Sequence, residues 1–192
     1  VDSPAPGGGS VSALSGSLGS ALGAMVANLT VGKAGYEEHY EKIEENGIKL
    51  AKLQRELMNG IDKDTDAFNE AFAAMKLPQK TLEQKESRSI ALEKGYKHAT
   101  EIPFDNAKKC IEILDLLDYI AKNGNKNSIS DVGVGALMAY AGLVGTVMNV
   151  KINLPNVKDK DFVNKMLKDT NDMVENARIK CDEIVNFVMN KI

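Results

Sequence analysis

Tryptophan is absent from the 192-residue chain, cysteine and histidine occur twice each, and aromatic residues make up 5% of it. So few aromatics, with no run of alternating β-branched residues, leave little from which to build a sheet. Cys110 and Cys181 stand far apart, outside any Cys-x-x-Cys or Cys/His spacing, and His39 and His98 add no ligand pattern. A zinc-type metal site and a disulfide framework are therefore not expected. Both cysteines fall on helix faces expected to be buried, which makes them small core hydrophobes in a reducing, cytoplasmic compartment. Charge of one sign is also lacking. With 24 basic and 27 acidic residues the net charge is −3, which argues against a nucleic-acid binder held by phosphate contacts. No Ser/His/Asp or P-loop pattern is present. The chain starts at Val1 rather than Met, as a trimmed start would, and no charged segment precedes an apolar core in the manner of a secretory signal.

Hydrophobic residues make up 43% of the chain, enough for one sizeable core over residues 1–192 without covalent staples. Helical periodicity is nearly everywhere. Tyr36, Tyr40, Ile43, Gly47, Leu50, Leu53 and Leu57 recur at three- and four-residue steps, predicting a helix that ends near Asn59-Gly60. A shorter helix carrying Ala67, Phe68, Ala71 and Met75 follows and stops before Pro78. Thr81 and Gln84 form a capping-box pattern that opens a helix to about Thr100. Pro103 suits the first turn of the next helix, continued by Ile111, Leu114, Leu117 and Ile120. Residues 123–130 read as a polar loop, and Asp131 as the cap of a helix reaching Asn153-Leu154-Pro155. Phe162, Met166, Met173, Ala177, Cys181, Ile184 and Val188 mark a long C-terminal amphipathic helix. Short connections make the product an all-α antiparallel bundle.

Two helices differ from the others. From Val11 to Val31 one charge-free run extends, and from Val132 to Val150 another, both crowded with glycine, alanine and serine. Gly19 and Gly23 even have the GxxxG spacing of a membrane helix pair. The serines and the thin basic flanks argue against insertion. Glycine costs about 1 kcal/mol relative to alanine inside a helix, so its repeated use points to a central pair buried on all sides, its backbones in close approach, as a dimer would supply. Both runs carry a small-Ala-Leu start and a Met followed within three residues by Asn, a likeness that low-complexity helices produce easily.

The segment Gly7-Gly8-Gly9-Ser10 stands directly before the first of these helices. By composition it is a linker. By position it is an anion- or carbonyl-binding cap, with Ser10 as N-cap, Gly8 and Gly9 as backbone donors, and Pro4 and Pro6 stiffening the approach. Asn28, Thr30, Asn149 and Asn153 are polar groups in apolar helices, explained singly by structural bonding and together by recognition of a ligand edge. Asp64 and Asp66 read as dipole-stabilising acids or as catalytic ones, and Asp66 would share a helix face with Asn69 and Glu70. Arg88, Lys94, Lys108 and Lys109 could hold a carboxylate or simply form a solvated face.

Several blocks resemble one family in the expected order. They are PAPGGGSVSAL with SALGAMVANLT (4–30), DTDAFNEAFAAMKLPQKT (64–81), IPFDNAKKC (102–110) and NKNSISDVGVGALMAYAGLVGTVMNVKINL (125–154). Together they are similar to the formiminotransferase-cyclodeaminase C-terminal domain and its stand-alone relatives, which include methenyltetrahydrofolate cyclohydrolases. The family's usual first helix, ahead of the Pro-Gly segment, is absent. The resemblance implies an all-α homodimer acting on a tetrahydrofolate derivative, polyglutamylated forms included. No further cofactor, metal, nucleic acid or membrane is implied. The reaction would be hydrolysis of 5,10-methenyltetrahydrofolate to 10-formyltetrahydrofolate, cyclisation of 5-formiminotetrahydrofolate with loss of ammonia, or both. On that footing Asp66 is the expected acid/base, and Asp131, Asn28 and Asn149 orient the pterin or the reacting carbon. Gly8, Gly9 and Ser10 present donors, and Arg88 or Lys109 meets the glutamate tail. Without turnover of either substrate, the alternative is a non-enzymatic helical ligand-binding or scaffold protein.

Overall fold

A computed structural model describes residues 6–192. Pro4, one of the two prolines expected to stiffen the glycine segment, lies outside the described residues. Five α-helices account for nearly all of the rest: α1 Gly8–Asn28, α2 Tyr40–Met75, α3 Leu82–Asn123, α4 Ile129–Asn153 and α5 Lys160–Met189. Helices α1 to α4 form an up-and-down bundle closed by contact between α1 and α4, and α5 lies against α3 and α4. Neighbours run antiparallel. The hydroxyls of Ser10, Ser17 and Ser20 on α1 reach the carbonyls of Ile61, Gln54 and Leu50 in descending order on α2.

The periodic stripes became the core, with Ile43, Leu50, Leu57, Ile113, Leu114, Leu117, Leu143 and Ile184 fully buried. Cys110 and Cys181 are buried free thiols within it. Burial pushes the Cys110 thiol up to about 12 and the Cys181 thiol up to about 11, so neither is a ready nucleophile. The Thr81 capping box forms as expected. The Gln84 amide donates to Thr81 Oγ1 at 3.2 Å, and Gln84 Oε1 accepts from the Thr81 amide at 3.2 Å.

Three boundaries differ from the sequence reading. α2 does not stop at Asn59-Gly60 but runs 36 residues, because Gly60 makes room for Asn106 of α3, whose amide would lie 2.7–2.9 Å from a Cβ there. α3 does not break near Thr100, and Pro103 sits in the interior of a 42-residue helix. An interior proline removes an N–H and ordinarily costs about 3 kcal/mol. Here the carbonyl four residues earlier, Ala99 O, accepts instead from Asn153 Nδ2 of α4 at 2.8 Å. α4 begins two residues before Asp131. Ser128 is its N-cap residue, and Asp131 falls inside the first turn rather than capping it.

α1 and α4 are the central pair. A Cβ at Gly19 would lie 2.5 Å from Gly135 O, and one at Gly142 would lie 2.8 Å from Gly16 N, so the backbones touch where the glycines are. Both helices are long and apolar enough to cross a membrane by length and composition, and half of each apolar window is buried inside the protein. Within one chain the expected burial on all sides holds for the small-residue face alone. On the opposite face large apolar side chains turn outward, with Val11, Leu18, Leu137, Met148 and Ile152 exposed, while Val26, Val132, Leu143 and Val150 point into the core.

Candidate functional site

The N-terminus of α1 is the starting point. Gly7 is its N-cap residue and offers no side chain, and the Val11 amide makes the first turn's bond, to Gly7 O at 3.1 Å. The preceding amides have no partner within the helix and carry the positive end of its dipole. The expectation of Ser10 as N-cap is corrected here, because the helix starts at Gly8 and places Ser10 in its first turn. The Ser10 hydroxyl lies 3.1 Å from Asp64 Oδ2, to which it can donate, and 3.3 Å from Ile61 O, with Thr65 Oγ1 3.4 Å away. A carboxylate from α2 thus does the work a capping side chain would do, which a glycine N-cap permits.

Asp64 owes its position to Gly9. A Cβ on Gly9 would lie 2.3–2.5 Å from both Asp64 oxygens, a distance no side chain tolerates. Burial pushes the Asp64 pKa above its ordinary 3.8, and hydrogen bonds from the Ser10 side chain and amide pull it back. The result is a partly desolvated carboxyl facing a helix N-terminus.

These groups border a cavity of about 360 Å³. Gly7, Gly8 and Gly9 form one wall, and Asp64, Thr65, Phe68 and Met75 of α2 another. Tyr96 and Ala99 of α3 and Asn149, Ile152 and Asn153 of α4, with Asn156 just beyond it, complete the lining. Asn149 Nδ2 donates to Gly145 O at 2.8 Å, and among the described residues its second amide proton and its side-chain Oδ1 make no other hydrogen bond. The volume is at the low end of small-molecule sites. It sits where the N-terminus of α1 and the C-terminal parts of α2 and α4 meet the interior of α3.

Of the residues expected from sequence, Gly8, Gly9 and Asn149 line this cavity, and Ser10 stands behind its carboxylate. Arg88 is close by. It borders a smaller depression of about 290 Å³ that shares Tyr96 and Asn156 with the cavity, and its Nε and Nη2 donate to Met75 O at the end of α2. Asp66 is not in the site. With Asn69 and Glu70 it occupies the exposed side of α2. Asn28 is exposed at the far end of α1, and Asp131 lies at the start of α4, a helix that runs opposite to α1, so both belong to the other end of the bundle. Lys109 pairs with Asp105 one turn earlier at 2.5 Å and is not part of the lining. Of the two acids in this segment the sequence reading favoured Asp66, whereas Asp64 is the one at the cavity, and the signal for that was legible. Gly60, Asp64, Ala67, Ala71 and Ala74 follow four- and three-residue steps, which puts Asp64 on the inner face and Asp66 off it.

A larger open groove of about 860 Å³ runs along α3 between Glu70 and Lys158; Glu70 and Lys94 line it, and none of the residues expected to act on the folate does. Several of its polar groups are engaged with one another or with neighbours, His98 with Glu70 at 2.8 Å and Lys97 with Asp159 at 2.7 Å.

Comparison with known proteins agrees with the resemblance. Residues 1–172 match the formiminotransferase-cyclodeaminase family. A methenyltetrahydrofolate cyclohydrolase from Methylorubrum extorquens is 36% identical over 98% of this chain and 91% of its own length. A formimidoyltransferase-cyclodeaminase from Gallus gallus is 38% identical over 92% of this chain, which spans 32% of that longer protein. The crystal structure of a formiminotetrahydrofolate cyclodeaminase from Thermotoga maritima superposes with a TM-score of 0.83 at 27% identity, covering all of this chain and 89% of the other.

Proposed function

The chain belongs to the formiminotransferase-cyclodeaminase family, and from that premise we propose that Asp64 is the acid/base of its folate chemistry, working against the N-terminus of α1. The protein is a folate one-carbon enzyme, a methenyltetrahydrofolate cyclohydrolase or formiminotetrahydrofolate cyclodeaminase. The observation that carries the assignment to Asp64 is its burial at the cavity wall in a slot that Gly9 alone leaves open.

Both reactions pass through a tetrahedral carbon between N5 and N10, and both require one group that takes a proton and then returns it. In hydrolysis, water adds to the methenyl carbon and loses a proton to Asp64. The carbon–N5 bond then breaks as N5 receives that proton and the hydroxyl releases its own to solvent, leaving the formyl group on N10. In deamination, N10 adds to the formimino carbon and releases its proton, and the amino nitrogen, once protonated, departs as ammonia. A carboxyl whose pKa burial raises exchanges a proton near neutral pH more readily than an exposed one. The amides of Gly8 and Gly9, which line the cavity, would orient the oxygen or nitrogen bound to the reacting carbon. The substrate itself contributes the reacting atoms, and Arg88, with Lys85 and Lys158 in the same adjoining depression, would meet its glutamate tail.

A second copy of the chain would cover the exposed apolar face of α1 and α4. Ile152 belongs both to that face, 71% exposed, and to the cavity lining, so a homodimer formed there would border the site. The reading as a soluble cytoplasmic enzyme rests on such coverage. Purified protein assayed with methenyl- and formiminotetrahydrofolate, following loss or gain of the methenyl absorbance, tests the function and separates the two reactions. Turnover of neither would overturn it.

A further inference from the structure

Asn153 lines the cavity, and its amide is oriented by an unusual arrangement. Pro103 has no N–H, so the helix cannot itself satisfy the Ala99 carbonyl in the ordinary way. Asn153 Nδ2 donates to that carbonyl at 2.8 Å and to Asn149 O of its own helix at 3.0 Å. Two acceptors use both amide protons. A flipped amide would set Oδ1 against two carbonyl oxygens, so the orientation is determined by the chemistry of its neighbours. What Asn153 can offer to the cavity is therefore Oδ1, an acceptor only.

Building on the folate reading above, we infer that Asn153 is a specificity-determining residue whose Oδ1, held by the proline-freed Ala99 carbonyl, accepts a hydrogen bond from the donor edge of the substrate's aminopyrimidinone ring. That ring presents its 2-amino group and N3–H side by side, two donors that a fixed acceptor can distinguish from a ring lacking the amino group. A site built to bond such a donor rejects the analogue without it by a large factor. Pro103 acts through Asn153 as a positioning residue. An alanine there would restore an N–H that competes for Ala99 O and would free the Asn153 amide to turn.

The test compares the natural substrate with its 2-desamino analogue in wild type, Asn153→Leu, Pro103→Ala and the double variant, with circular dichroism and Tm recorded for each. Wild type should prefer the natural substrate by about a hundredfold in kcat/KM. Asn153→Leu should lose most of that preference by slowing the natural substrate while changing the analogue by about threefold or less. Pro103→Ala should keep the fold, raise KM for the natural substrate more than it lowers kcat, and have no further effect once Asn153 is leucine. Equal losses for both substrates, or independent effects of the two substitutions, would overturn the inference and leave Asn153 a structural strut. Should Asn153→Leu fail to fold, the substrate preference of Pro103→Ala decides alone: an unchanged preference overturns it. An active wild type without any preference defeats this inference but not the folate reading, whereas an inactive wild type defeats the folate reading itself.

Discussion

The two ends of α1 carry similar polar residues and use them in opposite ways. At the C-terminal end, Thr30 Oγ1 donates to Val26 O and accepts from the Asn125 amide, while Asn125 Nδ2 donates to Leu29 O. Asn125 Oδ1 accepts from Lys33 Nζ and from the Asn127 amide, and the Tyr36 hydroxyl accepts from the Lys126 amide. Those groups are occupied in joining the loop after α1 to the loop before α4. Roughly 30 Å away, at the rise of a 21-residue helix, the N-terminal end leaves amides, a carboxyl and asparagine oxygens facing a cavity. An asparagine or a glycine run does not make a site by its identity. A site arises where folding leaves polar groups near one another with bonds still to make.

This contrast can be broken or sharpened by substitution. The largest effect is expected from Asp64→Asn, which should lower kcat by about 10²–10⁴-fold, the usual range for a lost acid/base, with the circular-dichroism spectrum retained. Asp66→Asn should stay within about twofold, as surface changes usually do; the reverse order of these two variants would return the role to Asp66. Gly9→Ala comes next. Its Cβ displaces the Asp64 carboxyl, so activity should fall on the order of a hundredfold, as for a misplaced catalytic group, with far less loss of Tm than of kcat. At the other end the outcome inverts. Thr30→Val leaves the buried Asn125 amide without its acceptor and should cost about 1–3 kcal/mol, read as a lower Tm at nearly unchanged kcat. A large loss of kcat there would blur the distinction between the two ends.

A pH-dependent effect follows from the burial of Asp64. Its folded pKa lies above the ordinary 3.8, so its contribution to stability is full below the unfolded value and falls as pH rises through the folded one. Asp64→Asn should therefore have a higher Tm than wild type at neutral pH. That advantage should shrink to nothing as the pH falls below the ordinary carboxylate range, a result that paired melting curves would show. Smallest is Arg88→Gln, expected to raise KM several-fold with kcat unchanged, as loss of an exposed charge contact does.

The sequence by itself determined the helical class, the Thr81 cap, the buried stripes, the small-residue pair and the family, because each is written in residues a few positions apart. Helix periodicity and capping are local physics, and family blocks are read along the chain. Tertiary structure decided what depends on partners distant in sequence. Gly60 does not end α2 because Asn106 fills its space, and Pro103 does not end α3 because Asn153 serves the carbonyl it frees. Ser10 does not cap its helix because Asp64 arrives from α2, 54 residues on, through the gap that Gly9 leaves. The glycines announced that something comes close to the chain there. Antiparallel packing of α1 on α2 made that something a half-buried carboxyl, with Asp66, two residues along a 3.6-residue turn, held out in solvent.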